Sequence, residues 1–215
     1  MTVVADFDWI ARPYRWLEYV TLGPMLQRCR TYFLPQIAGC EKALVLGDGD
    51  GRFLAKLMAQ NLTLQADAVD TSGTMLELLT LRVDRTTPGA SMRLRTHHGN
   101  ALEFVQGEGY DLVVTHFLLD CLVQEDVEKL VASVRTRMQP GAVWLISDFR
   151  TPEGFLEWPS RVLIRSLYLA FRMATGLRTS RLPDYATSLV LAGFVPVEEH
   201  LLLGGLLTTA IWKAA

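Results

Sequence analysis

The chain has 215 residues, with 21 basic and 23 acidic side chains, a formal charge of −2 and a hydrophobic half. This is globular composition, which excludes long disorder and collagen-like architecture. The length suits a single domain over residues 1–215 with one sizeable core. The near-neutral charge speaks against a dedicated nucleic-acid binder, which needs concentrated positive charge.

The start, Met1 to Asp8, carries acids where a secretory signal carries bases. The best candidate for a membrane span, Leu201 to Trp212, is short and broken by Gly204-Gly205. Cys29, Cys40 and Cys121 are scattered, form no CxxC and suggest no disulfide framework. The expected setting is soluble, reducing and cytoplasmic.

Residues 1–38, rich in Trp and Tyr, read as a helical cap laid over a sheet. Lys42 to Leu46 then reads as a buried strand, turning at Gly47-Asp48-Gly49-Asp50-Gly51 into a helix with Phe53, Leu54, Leu57 and Met58 on one face. Ala66 to Asp70 is the second strand. Thr71 or Ser72 caps the next helix, which carries Met75, Leu76, Leu78 and Leu79. Met92 to Thr96 and Asp111 to Thr115 are the third and fourth strands, and a helix runs from about Glu125 to Met138. Pro140-Gly141 breaks the chain before the fifth strand, Ala142 to Ser147. Residues 152–192 read as a helical insertion. Val195 to Leu203 and Leu206 to Trp212 then form a hairpin around Gly204-Gly205, which predicts an antiparallel edge strand.

Strand–helix alternation with continuous apolar strands implies an α/β, mostly parallel sheet covered on both faces. Right-handed crossovers put the strand C-terminal ends on one edge, where ligands bind. Gly47, Asp70, Asn100, His116 and Asp148 fall at or just past such ends.

The glycine turn carries the most information. Glycines at alternate positions let the backbone bend sharply and let a ligand approach it. The turn follows a strand and opens a helix. Asp70 follows it by about twenty residues, the spacing of a carboxylate that grips ribose hydroxyls. A plain βα turn with an N-cap aspartate is the bland alternative. Dinucleotide turns read G-x-G-x-x-G, whereas the sixth position here is Arg52. Asp48 and Asp50 also add two carboxylates, and like charges about 4 Å apart repel by about 4 kcal/mol at an effective dielectric of 20. The turn therefore disfavours a pyrophosphate. It suits an adenosine with a cationic middle, and S-adenosylmethionine has a ribose diol for Asp70, a sulfonium and an ammonium.

In these residues the chain resembles the class I S-adenosylmethionine-dependent methyltransferases. Leu44 to Phe53 is similar to the first motif, with its GxGxG, and Val69-Asp70-Thr71-Ser72-Gly73-Thr74-Met75-Leu76 to the second. His98-Gly99-Asn100-Ala101 is similar to the third, Tyr110 to Phe117 to the fourth, and Met138 to Ala142 to the turn before the fifth strand. Phe7-Asp8-Trp9-Ile10-Ala11 with Tyr14 resembles the N-terminal cap of quinone-type methyltransferases. The resemblance implies a Rossmann-like seven-stranded sheet with an antiparallel last strand, and S-adenosylmethionine as cofactor. It also implies cofactor contacts at Tyr14, Gly47, Asp48, Gly49, Gly51, Asp70, Thr71, Asn100, Ala101 and His116. One departure stands out: Val45 replaces the acid the family usually has two residues before the first glycine, which helps hold the cofactor's amino-acid end. Asp48 or Asp50 is the expected substitute.

Methyl transfer is an in-line displacement that mostly needs an aligned nucleophile, helped by a base where the acceptor is a hydroxyl or a protonated amine. His116 is the first candidate base, against a packing role under a helix. Asp148 and Arg150 are candidates to orient substrate, against an exposed loop pair; Asp120 reads as a loop residue. His97 and His98 are adjacent, point to opposite faces and make no metal motif. Cys121 reads as a small buried hydrophobe rather than a nucleophile. Arg161, Arg165 and Arg172 share one helical face with Tyr168. That face is a solvated lid surface or meets an anionic substrate or a membrane.

The expected activity is methyl transfer to a small-molecule acceptor, with no nucleic-acid partner. Two other readings stay open: a catalytically inactive cofactor-binding or partner protein, favoured by Val45, and an NAD(P)-dependent oxidoreductase.

Overall fold

The computed structural model describes residues 23–151 and 182–215. Its seven strands are β1 (Lys42–Leu46), β2 (Gln65–Asp70), β3 (Leu94–His98), β4 (Tyr110–His116), β5 (Met138–Phe149), β6 (Phe194–Leu202) and β7 (Leu207–Ala214). They form one sheet among the described residues, in the order β3-β2-β1-β4-β5-β7-β6. Six α-helices are described: α1 (Gly23–Thr31), α2 (Leu34–Ile37), α3 (Arg52–Gln60), α4 (Gly73–Thr86), α5 (Gln124–Arg135) and α6 (Tyr185–Leu191). Tyr14 and the Arg161–Arg172 face lie outside the described residues. Of the predicted cap and insertion, the described helices are α1, α2 and α6.

β1 pairs in parallel with β2 on one side and β4 on the other, and β2–β3 and β4–β5 are also parallel. The β1–α3–β2 crossover runs one way along the sheet and β4–α5–β5 the other. Right-handed crossovers therefore place α3 and α5 on opposite faces and open a crevice above the ends of β1 and β4. Side-chain alternation feeds two cores. Ala43, Val45, Leu112 and Val114 pack with Phe53, Leu57, Leu79 and Val83. Leu44, Leu46, Val113 and Trp144 pack on the other side with Val127, Leu130, Val134 and Leu189.

The terminal hairpin exists and its edge strand, β6, pairs antiparallel with β7; the strand that runs against the rest of the sheet is β7, one place in from that edge. β7 runs antiparallel to both β5 and β6 and lies between them. Seven of its eight residues are buried, whereas β6 carries exposed Pro196, Glu198 and Glu199. An apolar strand needs cover, while a strand with Pro and acids tolerates an edge.

Other boundaries shift for local reasons. Gly89, at φ 79°, starts a 3₁₀ turn over Ala90–Arg93, so β3 begins at Leu94 rather than Met92. Helix α5 ends at Arg135 because Met138 already pairs with Tyr110. Pro140-Gly141 sits where the register slips before Val143 meets Leu112, so it marks an irregularity within β5 rather than the strand's start.

Two buried acids away from the crevice tie strands together. Asp67 lies 2.7 Å from His97 Nε2 and accepts from Tyr110 Oη at 3.0 Å, joining β2 to β3 and β4. Asp111 accepts from the backbones of Glu41 and Lys42 at 2.6 and 2.8 Å, pinning the start of β1 to β4.

Gly51 is the N-cap of α3 at φ 78°, and a Cβ there would sit 2.7 Å from Leu79 Cγ and 2.8 Å from its Cα. Gly49 is also left-handed, at φ 61°, but a Cβ would meet nothing within 4 Å. Gly51→Ala is expected to cost about 3 kcal/mol or more, combining backbone strain with overpacking, and Gly49→Ala about 1 kcal/mol. Urea unfolding of the two variants checks this difference.

Candidate active site

The bend after β1 is built from three left-handed glycines, Gly47, Gly49 and Gly51, at φ 70°, 61° and 78°. Gly47 N–H donates to Val69 O at 2.9 Å, which ties the bend to β2. Gly51 has no side chain to cap α3. Asp48 does so from three residues earlier, its Oδ2 accepting from Leu54 N at 3.0 Å. Its Oδ1 is buried and has no partner among the described residues. Burial pushes the Asp48 carboxyl up to about 7, against the Leu54 N–H and the positive charge of Arg30; Asp50 and Asp70 reinforce the rise.

Asp50 behaves differently. Its carboxylate lies 2.8 Å from Arg82 Nη2 and 3.2 Å from Arg52 Nε, and its carbonyl accepts from Arg82 Nε at 2.8 Å. Of the two acids in the bend, Asp50 is neutralised by arginines from α3 and α4, and Asp48 is the one turned into the protein.

Asp70 ends β2 against this bend. Its Oδ1 accepts from Ser72 N at 2.9 Å, and the Gly49 and Thr71 backbones also hydrogen-bond its carboxylate. Burial nevertheless raises its pKa above the ordinary value. Thr71 is fixed through its carbonyl by His98 Nε2 at 3.0 Å, and Ser72 Oγ caps α4 by accepting from Met75 N at 3.2 Å. Gly99 N–H donates to Asp70 O at 2.9 Å, carrying the next loop alongside. There Asn100 Oδ1 accepts from Leu102 N at 3.0 Å, and Ala101 packs on the core. The fold thus gathers Gly47, Asp48, Gly49, Gly51, Asp70, Thr71, Asn100 and Ala101 along one edge.

His116 ends β4 across the crevice from β1. Only 3% exposed, it packs edge-on against Phe53 with ring centroids 4.5 Å apart. Neither ring nitrogen has a partner among the described residues. Burial, then the Arg30 charge, holds its pKa well below the usual histidine value, so the ring is neutral at pH 7. Phe117, the next residue, has φ 55°, a costly conformation for a side chain of its size.

Asp148, a candidate to orient substrate or else an exposed loop group, and Asp120, read as a loop residue, are 1% and 4% exposed. Asp148 Oδ2 accepts from Asp120 N at 3.3 Å, and the two side chains are hydrogen-bonded. Burial and the mutual hydrogen bond raise Asp148 well above the usual carboxylate range, and burial raises Asp120. Two buried acids this close hold protons more tightly than free carboxyls do. Arg150 is not part of this pair: its guanidinium lies 3.5 Å from Glu199 of β6. Burial and these acids push the Cys121 thiol well up, which keeps it protonated.

Arg30 was not legible in the sequence. It lies on α1, 8% exposed, with Cζ 5.1 Å from the Phe117 ring centroid. Its charge acts on Asp48, His116 and Cys29.

A carboxyl raised from 3.8 to about 7 in the fold stabilises the protein relative to its ionised form below pH 4. That contribution is lost as pH rises through 7. Asp48→Asn keeps an acceptor for Leu54 and removes the charge. It is expected to raise Tm by a few degrees over the parent at pH 8 and to give no gain at pH 4, as thermal melts at the two pH values will read.

Residues 44–144 match the family model described as a methyltransferase domain. An uncharacterised methyltransferase from Synechocystis sp. is 28% identical over 104 residues, which are 48% of this chain and 47% of that protein. The chain therefore matches about half the length of this curated relative. An O-methyltransferase family protein from Burkholderia thailandensis superposes with a TM-score of 0.72 at 16% identity, covering 95% of this chain and 59% of that one. The N-methyltransferase NodS from Bradyrhizobium japonicum, solved with S-adenosyl-L-homocysteine, superposes with a TM-score of 0.63 at 14% identity, covering 88% and 87%. The bend after β1 and the strand order give this chain the Rossmann-like fold of the methyltransferases it superposes on, and residues 44–144 are similar to a methyltransferase domain.

Proposed function

We propose that the chain transfers a methyl group from S-adenosylmethionine to a small-molecule acceptor. The observation that carries this reading is the meeting of the glycine bend with Asp70. Gly49 hydrogen-bonds the Asp70 carboxylate, so an adenosine lying on the bend brings its ribose diol to that acid. Asn100, its carbonyl already engaged by Leu102, stands beside it for the adenine edge, with Thr71 and Ala101 as walls. A dinucleotide fits less well, because its pyrophosphate would bring further negative charge to a bend that already holds Asp48, Asp50 and Asp70.

When bound, the cofactor supplies an electrophilic methyl on a cationic sulfur. The chain's part is to align an acceptor and take its proton. His116, held neutral by burial, suits hydrogen bonding better than storing a proton. The Asp120–Asp148 pair, with its raised carboxyl pKa, is the better proton acceptor at the ends of β4 and β5. No helix among the described residues is long and apolar enough to cross a membrane. The charge of −2 fits a small acceptor rather than a polyanion.

Calorimetry with S-adenosylhomocysteine and NADH side by side tests the cofactor. The first is expected to bind and the second not; binding of NADH alone would reverse the reading. Asp70→Asn is expected to weaken S-adenosylhomocysteine by about 10- to 100-fold through loss of charge-assisted hydrogen bonds. Once an acceptor is found by screening small hydroxyl and amine compounds, Asp148→Asn is expected to lower kcat by about 100-fold or more. It should leave S-adenosylhomocysteine affinity unchanged. Cofactor binding with no turnover on any acceptor would favour the inactive-binder reading.

A further inference from the structure

The two edge strands of the sheet are finished differently. β6 carries Pro196, and its pairing with β7 slips between Pro196 and Glu198. Both features hinder a further strand from adding there. β3 has neither: its register with β2 runs unbroken from Leu94 to His98, and it contains no proline. Arg95, Thr96 and His98 on it are exposed. An open groove of about 550 Å³ runs between this strand and α4, lined by Leu76, Glu77, Thr80, Leu81, Thr96 and His98. Leu81 is 53% exposed, and Met92, just before β3, is 90% exposed. An unprotected edge beside exposed large apolar side chains is the make-up of an interface rather than of a solvated rim.

The charges on α4 say what fits this edge. Glu77, Leu81 and Arg85 recur every four residues and so lie on one stripe of the helix. All three are exposed, and neither Glu77 nor Arg85 makes an ion pair among the described residues. The stripe reads acid, leucine, base. Turned end to end it reads base, leucine, acid, which complements the original. A surface that complements its own reversed copy is what a two-fold axis requires.

We propose that β3 and α4 form an isologous interface with a second copy of this chain. β3 pairs antiparallel with the same strand of the partner, which extends the sheet across the two-fold axis. α4 crosses its counterpart at Leu81. Glu77 then lies beside the partner's Arg85, and Arg85 beside the partner's Glu77. The strand ladder and the Leu81 contact supply the attraction. The charges fix the orientation, since exposed ion pairs add little by themselves. The patch is small, with about 16 Å of strand and about 21 Å of helix. That size belongs at the low end of stable interfaces, so the dimer forms and dissociates with concentration. None of these residues belongs to the glycine bend or to the acid pair, and the interface does not depend on the methyl-transfer reading.

Sedimentation velocity of the full chain between about 1 μM and 1 mM reads the monomer–dimer equilibrium. The parent is expected to dimerise within this range. Glu77→Arg and Arg85→Glu each set like charges together on both sides of the axis, and each is expected to raise the dimer Kd by about 10-fold. The double variant restores opposite charges and is expected to return to within about threefold of the parent. Leu81→Asp, at an exposed site, removes the central contact and is expected to leave a monomer throughout. A parent that stays monomeric, or a dimer that all four variants leave unchanged, would overturn the interface. So would a double variant that dimerises no better than either single one.

Discussion

The cleft depends on how the backbone turns after β1. Three left-handed glycines carry it out of the sheet and into α3, and two bonds hold the bend in place. Gly47 N–H reaches the carbonyl of Val69, and the Asp48 carboxylate reaches forward to Leu54. The second bond has an electrostatic consequence. Because Gly51 cannot cap α3, an acid from inside the bend must do it, and that acid is drawn into a site where ionisation is costly. The Arg30 charge opposes the rise at this carboxyl and, with burial, keeps His116 neutral.

The same contrast divides the whole molecule. Away from the crevice, Asp67 is satisfied by His97 and Tyr110 and Asp111 by two backbone amides, and within the bend Asp50 is paired with two arginines. Along the ligand edge, burial raises the pKa of Asp48, Asp70, Asp120 and Asp148. Strain gathers there too, with Phe117 left-handed at the exit of β4. A fold that tolerates poorly solvated charge in one cleft while pairing it elsewhere has preorganised that cleft for a polar ligand, at some cost in stability.

Much of this was legible in residue order because the signals are local. Continuous apolar runs mark strands covered on both faces, alternate glycines mark a bend that only glycine adopts cheaply, and an acid at a fixed distance beyond marks the end of the next strand. Asp50 and Asp48, equivalent by spacing, could not be separated in this way. Arg82, which pairs with Asp50, lies on a different helix. The hairpin was visible from its glycines and alternation. The insertion of β7 beside β5 was not, since strand order is settled by which strand needs cover on two faces.

By itself the sequence determined the class of fold, the edge on which ligands bind and the acidic character of the bend, because each is set by short-range periodicity and by backbone conformations few residues can adopt. Only the tertiary structure decided which of those acids is paired with arginines and which is buried, that His116 is sealed from water, that burial raises both Asp120 and Asp148, and that Arg30 lies against Phe117. Those outcomes depend on burial and on partners far away along the chain, and no local pattern encodes either.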